Sequence, residues 1–161
     1  MPPSNPDSLR QHVAVLLRGG SAHASLSPSL AGLTASVAGK KPPRSPHTGW
    51  QLLEHLRLAQ QDILEFTRDP RWVSPDFPKG YWPPTPAPPS AAALARSKKA
   101  LASDLDAMIA LVLDPARDLL APLPHAPGKT LLREALVLAD HNAYHLGQLV
   151  LLRRLLGAWN S

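Results

Sequence analysis

Apolar residues recur along the 161-residue chain in helical steps, and prolines mark where those steps stop. Proline inside a helix costs about 3 kcal/mol, so windows free of it are helix candidates. They run 7–27, 29–41, 47–69, 90–114 and 128–161. In the first, Asp7 or Ser8 can cap a helix carrying Leu9, Val13, Leu16 and Leu17, which Gly19–Gly20 ends or kinks. A weaker Ala/Leu/Ser-rich stretch, about 21–37, follows and is interrupted by Pro28. In the third window Thr48 can cap a helix on which Trp50, Leu53, Leu56, Ala59, Ile63 and Phe66 recur at helical spacing. The fourth starts at Ser90 and carries Leu94, Leu101, Leu105, Met108 and Leu111–Leu113. The last runs from about Thr130, with Glu134 near its first turn, to Gly157. No run alternating with period two exceeds four residues, so no sheet is expected.

Four principal helices of this kind predict an all-α four-helix bundle, with residues 1–161 forming one domain. Eight prolines crowd 70–89, which becomes a long Pro-rich crossover between the second and third principal helices. Loops that long in a compact domain are usually functional or disordered. Four of the eight aromatics, Trp72, Phe77, Tyr81 and Trp82, lie in it, so it is expected to pack onto the bundle. A second proline cluster spans 115–127.

Composition narrows the picture. Nineteen prolines are more than twice the usual share of about 5%, but 44% hydrophobic and only 18% charged residues exclude a wholly disordered chain. With no cysteine there is no disulfide, no thiolate ligand and no cysteine nucleophile. The opening residues lack a secretory h-region and no apolar run is long enough to cross a membrane, so a cytoplasmic protein without a membrane partner is expected. The net charge is +5, but its densest groupings are doublets: Lys40–Lys41, Lys98–Lys99 and Arg153–Arg154. They read as solvated surface, and no nucleic-acid partner is expected.

Seven histidines remain as material for chemistry. His141 and His145 stand four apart in the last helix, on one face and roughly 6 Å apart at Cβ. They belong to the series Leu138, His141, His145, Leu149, Leu152, which is otherwise apolar and should face inward. His55 is flanked by Leu52, Leu58 and Ala59 and should also face inward. Three inward imidazoles must either hydrogen-bond to other polar groups or bind a divalent metal, because an unsatisfied buried polar group costs about 1–3 kcal/mol. A three-histidine site would leave a coordination position open to water or substrate. It is not an H-E-x-x-H site, since Asn142 stands where the glutamate would. His23 could turn in as a fourth ligand or a neighbour of one, and Tyr144 and Gln148 adjoin the pair. His47 and His12 read as exposed and His125 as a loop residue; Asp62, one to two turns beyond His55, reads as solvated or else as an acceptor behind the histidines, and Trp50 as core.

The W-x-x-x-x-H of Trp50 to His55, and the later HxxxH-x-GQ of His141, His145, Gly147 and Gln148, together resemble the DinB-like (DinB/YfiT) superfamily. The following LVLLRRLLGAW is similar to that family's last helix, and the resemblance covers about residues 7–158. It implies a four-helix bundle, often dimeric, with a divalent metal, nickel or zinc, held by His55, His141 and His145. It also implies a thiol S-transferase or a metal-dependent hydrolase acting on a small molecule. A low-molecular-weight thiol would have to come from the substrate, because the chain has no cysteine. Asn142, where an acidic residue often follows, and the proline-rich WVSPDFPKGYWPP depart from the family pattern. The alternative is a metal- or ligand-binding stress-response protein without turnover.

Overall fold

The computed structural model describes residues 6–159. Four long helices carry the fold: α1 (Pro6–Arg18), α4 (Gly49–Arg68), α5 (Ala91–Leu113) and α6 (Leu131–Leu155). Two short ones, α2 (Leu26–Ala31) and α3 (Ala35–Ala38), fill the first connection. Helix α4 packs against both α5 and α6, and α1 closes against the same two, so the all-α architecture is as expected. The core between them is largely leucine. Leu53, Leu56 and Leu64 of α4, Leu101 and Met108 of α5, and Leu138 and Leu149 of α6 are fully buried. Each such side chain contributes about 1.5–3 kcal/mol of burial.

The caps lie where the side chains can reach orphan amides. Thr48 accepts from the Gln51 amide while the Gln51 side chain accepts from the Thr48 amide, a reciprocal pair that starts α4. Ser90 and Thr130 accept from the Ala93 and Arg133 amides in the same way. At the other end of α1, Gly19 and Gly20 adopt φ of 68° and 90°, a left-handed pair that stops the helix.

Four expectations need correction. Asp7 and Ser8 lie within the first turn of α1 rather than ahead of it. Pro28 does not interrupt α2 but falls in its first turn, where a helix needs no amide donor; Gly32 follows as the C-cap instead. A small antiparallel ribbon, β1 (Pro122–Leu123) with β2 (Ala126–Thr130), forms in the second proline cluster. Its strands are too short to show an alternating pattern in the sequence. Finally, not all the basic charge is solvated. Arg153 is buried and donates to the carbonyls of Pro28, Ser29 and Ala158, and Arg10 is buried against the carbonyls of Val112 and Arg117. Backbone oxygens satisfy these guanidiniums, so they tie segments together rather than coat the surface.

The crossover joins α4 to α5 and folds back onto α4, with a 3₁₀ turn at Lys79–Tyr81 lying against that helix. Trp72, Tyr81 and Trp82 are half-buried, whereas Phe77 is 88% exposed. No helix among the described residues is long and apolar enough to cross a membrane.

Candidate metal site

Helices α4 and α6 bring His55, His141 and His145 together. One imidazole nitrogen from each lies within 4.8 Å of the other two. His55 Nε2 is 3.1 Å from His145 Nε2 and 3.1 Å from His141 Nε2. The rings are half-buried at the edge of the leucine core.

The far sides of two rings decide their protonation. His55 Nδ1 donates to the Tyr81 carbonyl at 2.9 Å, and His145 Nδ1 donates to Gln148 Oε1 at 2.8 Å. A neutral imidazole whose Nδ1 carries the proton has a bare lone pair on Nε2. His55 and His145 therefore point two lone pairs at each other across 3.1 Å. His141 could donate an Nε2 proton to only one of them. A second proton on any ring is disfavoured by burial, which lowers the pKa of all three. His141 is pushed furthest, to about 4, by burial and then by its two imidazole neighbours. Converging lone pairs on rings held neutral fit a cation. Nitrogens sharing one ion at about 2.0–2.1 Å stand about 3.3 Å apart in tetrahedral geometry, close to the spacing seen.

The crossover builds the wall beside this trio. Trp82 stacks on His55, with centroids 4.1 Å apart and planes 7° from parallel. His47 also stacks on the indole, with centroids 4.1 Å apart and planes 20° from parallel. Asp62, on α4, accepts from Trp72 Nε1 at 2.8 Å and from the Tyr81 hydroxyl at 2.7 Å. Burial, and then that contact, push the Tyr81 hydroxyl pKa up to about 12. One carboxylate thus anchors the segment whose Tyr81 carbonyl orients His55. Of its two expected roles Asp62 thus takes that of acceptor rather than solvated acid, though its donors are Trp72 and Tyr81 and not a histidine, and His47 is not the exposed residue expected. A carbonyl that orients an imidazole leaves no mark in a sequence. The i, i+7 relation of His55 and Asp62 does place the acid on the His55 side of α4.

Of the other candidates, Gln148 joins the site through its bond to His145. Tyr144 meets the His145 ring edge-on at 4.9 Å but is 65% exposed. His23 is exposed in the loop after α1, where it donates to the Ala24 carbonyl, and it is not part of the imidazole group. Trp50 is buried core, as expected. His125 donates to the Phe66 carbonyl at 2.8 Å, and His12 is exposed on α1.

A helical bundle that presents three imidazoles from two facing helices defines a class of proteins able to hold a metal ion between its helices. The chain belongs to the DinB superfamily, whose family model matches residues 21–149. No curated protein and no solved structure matches it.

Proposed function

We propose that this protein is a metal-dependent enzyme that activates a thiol or a water molecule, of the S-transferase or hydrolase type. The observation that carries this reading is the convergence of three Nε2 atoms whose far nitrogens are in two cases tied off by Tyr81 and Gln148. His55, His141 and His145 would hold the ion, and neutral imidazoles suit nickel or zinc. When bound, it supplies Lewis acidity toward a water or a thiol.

The remaining work belongs to the chain. Tyr81 and Gln148 fix the tautomers of two ligands, which keeps both Nε2 lone pairs available. Trp82 shields one face of His55 from solvent. No cysteine is present, so a reacting thiol arrives with the substrate. The test is metal analysis of purified protein, then His145→Ala, then a screen of thiol transfer and hydrolysis. Wild-type protein is expected to carry close to one ion per chain. The variant should lose the metal and, with it, at least about 100-fold in turnover. Unchanged turnover would remove the site from the mechanism.

A second reading, metal or ligand binding without turnover, draws on Asp62. Both of its carboxylate oxygens are engaged by Trp72 and Tyr81, so it is not free to act as a base. A fully loaded protein inactive across the same screen would favour it.

A further inference from the structure

Beside the trio a cavity of about 320 Å³ opens between the loop 42–47 and the helices α4 and α6. Two of its lining residues belong to the site already described: Gln148, which accepts from His145, and His47, which stacks on Trp82. Leu52 forms part of the wall, with Leu151 and Leu155 of α6. The latter two are 58% and 64% exposed, apolar surface left uncovered at the mouth of a pocket.

Arg44 is the one cation in that lining. Its φ is 63°, and it is the one non-glycine residue with positive φ among the described residues. That left-handed conformation is unfavourable for a residue with a Cβ. No carboxylate pairs with its guanidinium among the described residues. An arginine held in a disfavoured backbone conformation, without an internal partner, at the rim of an apolar pocket is complementary to an anion on an apolar body.

We propose that this cavity is the substrate subsite, taking a small amphiphilic anion whose apolar body lies against the leucines and whose carboxylate or similar group meets Arg44. Its reactive end then faces the imidazoles past His47 and Gln148. The placement of the reactive end rests on the proposed metal-dependent activity; the binding of the anion does not.

Octanoate and its neutral counterpart octanamide are the probes, titrated calorimetrically into the full chain loaded with nickel. Octanoate is expected to bind about tenfold tighter than octanamide. Arg44→Gln and Arg44→Gly should erase that preference while loading nickel as the wild type does. Glycine accepts the left-handed conformation without strain, so the second variant guards against a folding defect. His141→Ala, which lacks one imidazole of the trio but leaves the His55–Trp82–His47 stack intact, should keep the preference for octanoate. Loss of octanoate binding in His141→Ala would place the carboxylate on the metal and overturn the subsite. Equal binding of the two probes, indifference to Arg44, or no binding at millimolar octanoate would overturn it as well. A chain that takes up no nickel yet still prefers octanoate through Arg44 would refute the metal reading and leave the subsite standing.

Discussion

Asn142 follows His141 in the chain and turns into the interior, where its amide donates to Gln60 Oε1 at 2.8 Å. Gln60 in turn donates to the Leu101 carbonyl, so two amides link α6, α4 and α5. This chain keeps a neutral residue there because Gln60 presents an oxygen, and turning its amide to offer a donor would forfeit the bond to Leu101. Asn142→Asp is therefore expected to cost about 1–3 kcal/mol, read as a lower urea midpoint at unchanged m-value, with metal loading little altered. At this scale the three imidazoles were legible, since helical periodicity sets each among leucines. Asn142 could be seen to break the H-E-x-x-H and family patterns, but its buried partner could not be read. The pairing depends on Gln60, 82 positions away, and nothing local marks an amide as buried.

The crossover is the element that gives the site its second wall. Asp62 holds it by two hydrogen bonds, Trp82 rests on His55, and the Thr48 hydroxyl donates to the Pro86 carbonyl at 2.6 Å near its far end. Asp62→Ala is expected to free Trp72 and Trp82 toward solvent, shifting tryptophan emission to the red with helix content unchanged. By loosening the Tyr81 carbonyl from His55 it should also weaken metal binding by about 10–100-fold, measured by competition with a chelator. Asp62→Asn, which keeps one acceptor oxygen, should lose less. The proline map located this element, and its aromatics said that it packs. Its docking partners escaped notice because an irregular segment has no period from which to infer a face. The ribbon at 122–130 escaped for a related reason: with two residues in β1, no alternation can be recognised.

For the whole molecule, burial of the imidazoles links stability to pH. The unfolded chain takes up a proton at His141 near pH 6.5, whereas the folded chain resists until about 4. Between those values the unfolded state binds more protons, so stability rises with pH. The metal-free protein should thus keep its full stability above about pH 6.5 and lose it progressively as pH falls toward 4. His55, His145 and His47, also lowered by burial, add to the same slope. Urea unfolding at about pH 7.5 and pH 5 checks this, and His141→Asn should flatten the difference.

The imidazole trio joins positions 86 and 90 residues apart in sequence. No stretch of chain can rehearse it on its own, since neither helix contains the full set of donors. An ion gripped by all three would behave as a reversible cross-link closing a loop of more than half the chain. It would be absent from early folding, present only after α4 and α6 have met, and lost as soon as they part. Loading would then act on escape from the native state more than on arrival there, slowing unfolding while leaving the refolding rate nearly unchanged.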